Sequence, residues 1–322
     1  MSTAEISAAD PAPRRLASAR GSGLEPVFHA ACFMAATTLL AALGGVLVAL
    51  AIGGWPAIAK FGVGFLTNVT WDPVQDVYGA AGPIVGTLIT SALALLFALP
   101  VAGGVAFFLV ELCPPALRRP IGTAVELLAG IPSIVYGMWG LFVFAPMFAK
   151  WVEIPAMAAA PADSIWSTLV QGIPNGSGIL AASIILAIMI LPFMAATLRE
   201  LLHTVPAQVR ESAYGLGATT GEVVMKVTLP YVRRGAIGAV MLGLGRALGE
   251  TMAVTFIIGN SHDFPKGLFD AGSTIASTIA NEFNEASGMQ QSALIALGLV
   301  LFLITFIVLA LARLLLRNQA RL

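Results

Sequence analysis

Charge is scarce here: Asp, Glu, Lys and Arg make up 11% of the 322 residues, where soluble domains carry roughly 25%. Beside 58% hydrophobic residues, that deficit excludes a soluble globular chain and identifies an integral membrane protein. Lysine is confined to Lys60, Lys150, Lys226 and Lys266, and none of these follows a glycine. A Walker A loop needs Gly-Lys followed by Ser or Thr to cradle phosphates, so this chain does not hydrolyse ATP by itself. His29, His203 and His262 stand far apart, and no H-E-x-x-H run or cysteine cluster exists to hold a metal. No nucleophile elbow and no paired carboxylates in the apolar runs point to an enzyme. Catalytic and metal residues are therefore none. The two cysteines, Cys32 and Cys113, fall near the same-side ends of predicted spans, a reducing setting. Neither is expected to form a disulfide, and both read as small packing residues.

What the sequence does have is apolar length. Six runs are long enough to cross a bilayer, which takes about 20 residues: 28–52, 82–110, 121–148, 178–198, 236–259 and 292–316. The second and third are over-long and contain Pro100, Pro132 and Pro146, so kinks are expected there. Basic residues set the orientation. Arg14, Arg15, Arg20, Arg118, Arg119, Arg199, Arg210, Lys226, Arg233, Arg234, Arg313, Arg317 and Arg321 share one side, against Lys60, Lys150 and Lys266 on the other. Both termini are thereby predicted to be cytoplasmic in a multi-pass membrane protein. Residues 1–27, rich in Ala, Ser, Pro and Arg, read as a disordered tail, and 28–322 as one membrane domain. Ala49-Leu50-Ala51 resembles a signal cleavage site, but the apolar run before it exceeds the 7–15 residues of a signal core. A retained anchor is the reading. The loop 260–291 carries Ile275, Ile279 and Phe283 at helical spacing, predicting a short helix against the bundle.

One polar stretch, 199–235, interrupts the apolar runs. Pro206 suits a first helical position, and Gly217 suits the left-handed cap that would end a helix begun there. Thr219 followed by Glu222 offers a capping box for a second short helix. The product is a helix–turn–helix stiff enough to transmit a push. Glu211-Ser212-Ala213, Gly217, Val227 and Leu229-Pro230 also match E-A-A-x3-G-x9-I-x-L-P, with Ser212 and Val227 as mild departures. The segment thus resembles the loop by which ABC importer permeases engage their ATPase.

Inside the fifth run lies Gly243-Leu244-Gly245-Arg246-Ala247-Leu248-Gly249-Glu250-Thr251. At a rise of 1.5 Å per residue, Arg246 sits about 15 Å from the start of that run, near the bilayer midplane. An arginine there costs at least about 2.5–3.5 kcal/mol on insertion scales. On a continuous helix Glu250 is its i+4 neighbour, and Gly245 with Gly249 offers a face for close helix approach. Two readings stand: an ion pair that locks packing, or an arginine that faces a translocation route and attracts an anion, oriented by Glu250. In the third run Gly130, Pro132 and Gly137 loosen the helix, tolerable where it faces protein or water. Ser133 and Tyr136 there either donate to a passing anion or pack locally, and Glu126 is a structural or gating partner.

Gly245-Arg246-Ala247-Leu248-Gly249-Glu250-Thr251-Met252-Ala253-Val254-Thr255 is similar to the fifth-helix signature of PstC-type permeases of phosphate ABC importers. Glu126-Leu127-Leu128-Ala129-Gly130-Ile131-Pro132-Ser133-Ile134-Val135-Tyr136-Gly137 resembles that family's third span, and Glu211 to Thr219 its coupling loop. The resemblance implies an all-α membrane protein, a type I ABC importer permease of MetI-like fold. Its implied partners are a PstA-type second permease, two copies of a PstB-type ATPase and a PstS-type periplasmic phosphate-binding protein, in membrane lipid and without nucleic acid. No cofactor is implied for this chain, since ATP and Mg would sit on the ATPase. Arg246, Glu250, Ser133 and Tyr136 become substrate-pathway residues; Glu211, Ser212, Ala213, Gly217, Leu229 and Pro230 become coupling residues. Alternative readings are a permease for sulfate or molybdate, or an ATP-independent secondary transporter or channel.

Overall fold

The computed structural model describes residues 25–161 and 163–318. The predicted tail, 1–27, lies outside the described residues except for its last three, which are already helical. The chain falls into two compact units, Met1–Ala49 and Leu50–Leu322. The described part of the first belongs to helix α1 (Glu25–Phe61), with Phe28, Phe33, Leu39 and Leu40 exposed. Such a surface suits hydrocarbon rather than water. Cys32 is exposed there, so the packing role predicted for both cysteines holds for buried Cys113 alone.

The second unit is built on helices α2 (Ala81–Leu112), α3 (Pro115–Ala129), α4 (Ser133–Ala158) and α5 (Ile179–His203). They are followed by α6 (Ala207–Gly215), α7 (Thr220–Val223), α8 (Leu229–Leu248), α9 (Met252–Ile257), α10 (Ile275–Glu282) and α11 (Gly288–Asn318). On α2, Ala94, Ala98, Ala102 and Ala106 recur every fourth residue and are fully buried. That spacing lines one helix face with small side chains, so α5 packs close to it. Ala181, Ile185, Met189 and Ile190 of α5 fill the same core.

Among the described residues five helices are long and apolar enough to cross a membrane: α1, α2, α4, α5 and α11. Two of the six predicted runs are broken. Run 121–148 divides at Pro132, which is extended (φ −58°, ψ 137°) and begins α4, leaving α3 as a separate helix. The span then continues to Ala158, beyond the predicted end. Run 236–259 divides between Leu248 and Met252.

Prolines also explain four widened turns. The π-helical stretches Phe108–Leu112, Gly140–Phe144, Ala149–Glu153 and Val224–Thr228 each end two residues before a proline: Pro114, Pro146, Pro155 and Pro230. In each, the N–H of the residue preceding the proline donates to the carbonyl five residues back. A proline ring collides with the carbonyl four residues before it and supplies no donor. At Pro146, Pro155 and Pro230 the wider turn makes room for the ring without ending the helix, whereas at Pro114 the helix stops, with Cys113 extended (φ −70°, ψ 128°).

A second core joins α10 and α11 to a hairpin, β1 (Trp71–Asp72) and β2 (Val77–Tyr78), with Trp71 opposite Tyr78. The helix expected around Ile275 and Ile279 is therefore present and packs as predicted. Its last residue, Glu282, gathers three elements. Its carboxylate accepts from Trp71 Nε1 at 2.9 Å and Gln290 Nε2 at 2.9 Å, and pairs with His262 Nε2 at 2.8 Å. Trp71 stacks on the His262 ring, centroids 5.4 Å apart.

Burial opposes ionisation of Glu282, but hydrogen bonds from His262, Gln290 and Trp71 outweigh it and hold the carboxyl below its ordinary 4.5. A depressed carboxyl contributes stability above its unfolded pKa and loses it as pH falls through the folded one. Acidification below about 4.5 should therefore lower the melting temperature of the purified protein more steeply than that of Glu282→Gln. Identical pH profiles for the two would show that the cluster does not brace the hairpin.

Candidate functional site

The two helix breaks meet. Gly137, in the first turns of α4, lies against the start of α9, where a Cβ would stand 3.0 Å from Ala253 Cα and 3.1 Å from the Met252 carbonyl oxygen. Only a glycine lets these backbones cross so closely. Across the first break the Tyr136 hydroxyl donates to the Leu128 carbonyl at 3.0 Å, supplying a partner to an acceptor near the end of α3. Ser133 opens α4 just beyond it, half-buried. Across the second break Gly249 caps α8 (φ −95°, ψ 5°), and Glu250 Oε1 accepts from Ala253 N at 3.2 Å, capping α9.

Arg246 stands in the last turn of α8, exposed, with its guanidinium over the Phe193 ring of α5 at 5.8 Å from the centroid. A cation over an aromatic face is held electrostatically without being neutralised. The fold thus gathers Arg246, Tyr136 and Glu250 around the breaks, with Ser133 one turn from Tyr136.

Two sequence expectations are corrected here. Arg246 and Glu250 were expected as i, i+4 neighbours on a continuous helix, but α8 ends at Leu248 and Glu250 serves α9 instead. Among the described residues Arg246 forms no ion pair. Gly245 and Gly249 do not admit a second helix backbone: a Cβ at Gly245 would meet only Leu309 at 4.0 Å, and Gly249 ends the helix. The close approaches on α8 are at Gly235 and Gly243, where a Cβ would come 2.6 Å from Leu201 Cδ2 and 2.7 Å from Met194 Sδ.

The polar interruption folds as α6, a turn, α7 and a π-helical stretch leading into α8. Gly217 has φ +86°; its N–H donates to the Tyr214 carbonyl at 2.9 Å, and Ala218 N–H donates to the Ala213 carbonyl at 3.2 Å. Those two bonds make a Schellman cap. Pro206 is the residue before α6 rather than its first. Thr219 and Glu222 form the capping box in both directions. The Thr219 backbone N–H, then Lys226 and the Thr219 hydroxyl, pull the Glu222 carboxyl down to about 2. Glu211 and Ser212 are exposed on α6 and Ala213 is half-buried, while Leu229 and Pro230 open α8. At the tip Leu216 is 90% exposed, beside exposed Tyr214 and Met225. The capped turn thus presents apolar side chains to its surroundings.

Sequence reasoning missed what braces this element. Arg210 Nη1 pairs with Glu111 Oε1 at 3.1 Å, tying α6 to the last turn of α2. Arg199 on α5 pairs with Glu126 of α3 and with its neighbour Glu200. Residues 99 positions apart show no spacing signal. Phe193 gave none either, since an aromatic in a span reads as packing.

A profile of the family described as "Binding-protein-dependent transport system inner membrane component" matches residues 104–321. The "Phosphate transport system permease protein PstC" of Pasteurella multocida is 56% identical, over 85% of this chain and 85% of its own. Its counterpart in Mesorhizobium japonicum is 52% identical over 92% and 91%. Among solved structures, a chain of a bacterial ABC transporter involved in import of the acidic polysaccharide alginate superposes with a TM-score of 0.53 at 18% identity, covering 87% of this chain and 95% of that one. The last likeness establishes the fold alone. By sequence, this chain belongs to the binding-protein-dependent transport system inner membrane component family and, within it, to the PstC-type permeases.

Proposed function

We propose that this chain is one half of the membrane domain of an ATP-driven importer that carries inorganic phosphate inward by alternating access. It works as a permease subunit and not as an enzyme. The relatives' names support the substrate, and one observation about this chain carries it: Arg246, unpaired among the described residues, beside two facing helix breaks. Irregular backbone at membrane depth is tolerated where it lines a route or protein rather than lipid. A guanidinium there offers a forked, permanently charged donor set suited to an oxyanion. The basic asymmetry of the loops supports cytoplasmic termini and a cytoplasmic 199–235 loop in a single membrane domain, 28–322.

The remaining subunits follow the family's arrangement: a PstA-type permease, two PstB-type ATPases holding ATP and Mg, and a PstS-type binding protein. The exposed Leu216 tip, with Glu211 and Gly217, would enter the ATPase cleft. Motion of α6 passes to α2 through the Arg210–Glu111 pair, and to α8 through the continuous π-helical join.

For coupling, space and backbone give separable outcomes. A Cβ on Gly217 meets nothing within 4 Å, so any penalty comes from its left-handed φ, about 1–2 kcal/mol for most residues and least for Asn. Gly217→Val should assemble and yet uncouple ATP hydrolysis from uptake, while Gly217→Asn stays coupled. Uptake at the native level by reconstituted Gly217→Val would refute the docking role.

For the route, Arg246→Gln should assemble with its partners and lose labelled-phosphate uptake in proteoliposomes. Glu250→Gln keeps a carbonyl oxygen for Ala253 N–H and should assemble. Arg246→Lys keeps charge without the planar fork and should be impaired but active. Arg246→Gln with Glu250→Gln removes both charges, which is near neutral for a pair that only packs. Near-normal uptake by that doubly neutral protein would end the substrate role of Arg246.

A further inference from the structure

At the end of α5 that leads into α6, helices α3 and α5 enclose a cavity of about 280 Å³ lined by Arg118, Arg119, Thr123, Glu126, Arg199 and His203. Three arginines share that lining with a single carboxylate, Glu126. Arg199 is held firmly: its side chain is 15% exposed and its Nη2 donates to Glu126 and Glu200. It crosses α3 at Gly122, where any Cβ would collide with Nη1. Arg118 donates Nη2 to the Cys113 carbonyl at 3.3 Å. Both guanidiniums keep a buried Nε–H with no acceptor among the described residues. Buried charged donors without acceptors are costly, so neither guanidinium is fully satisfied by the described residues.

We propose that this cleft binds a phosphate group, either from orthophosphate or from the headgroup of an anionic phospholipid. Forked guanidiniums match the paired oxygens of a tetrahedral phosphate. Basic pockets between helices at the membrane boundary are suited to lipid headgroups, and Leu117 and Leu127 of α3 are exposed as an interfacial helix would have them. The exposed Thr123 hydroxyl and Arg119 sit at the mouth. The site is distinct from the one at Arg246, since Arg199 lies about 9 Å along α5 from Phe193. It stands whether or not phosphate is the cargo of the route.

The test uses the assembled complex with Arg246→Gln as background, so that orthophosphate at the route does not contribute. In nanodiscs of phosphatidylcholine alone, the melting-temperature shift with orthophosphate, against chloride at equal ionic strength, reads the free anion. In nanodiscs containing phosphatidylglycerol, native mass spectrometry counts the anionic lipid retained. One of the two signals should be present and weaken at least about tenfold in Arg118→Gln/Arg119→Gln, the scale of one lost charge-assisted bond. Arg233→Gln/Arg234→Gln, which removes equal charge elsewhere, should leave it unchanged. If the paired Gln variant does not assemble, Thr123→Glu places a carboxylate at the mouth without touching a guanidinium and should lose the same signal. A shift with orthophosphate assigns the free anion, and retained phosphatidylglycerol assigns the lipid. Absence of both signals, or equal signals in all variants, overturns the proposal.

Discussion

Every backbone N–H and C=O at membrane depth must find a partner, and that constraint organises this molecule. A helix can break in hydrocarbon only where something else receives the freed groups. Here the breaks before α4 and before α9 are met by each other's elements and by three local devices. Tyr136 covers the Leu128 carbonyl, Glu250 covers the Ala253 N–H, and Gly137 permits the crossing that keeps both away from lipid. Arg246 depends on the same arrangement. With Glu250 committed to α9, the guanidinium has an aromatic face for support and no carboxylate to cancel its charge. In the proposed route its field would be available to a diffusing anion.

The prolines show the milder form of the same constraint. Each π-helical turn keeps a carbonyl bonded by reaching one residue further, so the helix runs on through Pro146, Pro155 and Pro230, while before Pro114 it ends. Two of these turns lie beside the coupling element, at the end of α2 and at the start of α8. A π turn is a place where helical register can shift. The Arg210–Glu111 pair joins α6 to one of them, and the chain itself joins α7 to the other. A displacement of the exposed tip therefore enters the bundle at two deformable points rather than being absorbed in a loose loop.

Local chemistry was readable from the sequence. The left-handed Gly217, the Thr219–Glu222 box and the short helix at Ile275 all rest on residues within a few positions of one another, where spacing determines geometry. Apolar length likewise located the membrane helices. The breaks were not read correctly. Gly130-Ile131-Pro132 registered as a kink although it ends a helix, and Gly249-Glu250-Thr251 did not register at all. The reason is physical: glycine weakens a helix by only about 1 kcal/mol, so whether the chain stops there is decided by what packs opposite. Arg210–Glu111 and Arg199–Glu126 were invisible for a related reason, because pairing across helices depends on tertiary approach that spacing does not encode.

The broken helix also changes what a negative charge near Arg246 means. On a continuous helix Glu250 would neutralise the arginine, and an anion would have to displace it. With the break, the carboxylate is tied by Ala253 N–H to the turn that starts α9. Repulsion between that carboxylate and a passing oxyanion is lessened by its hydrogen bond, while attraction to Arg246 is retained. A like charge close to an attractive one keeps binding from becoming too strong, and a transported ion must leave as readily as it enters. Glu250 thus holds the second helix segment in place with one hydrogen bond, and in the proposed route the same carboxylate would temper the site beside it.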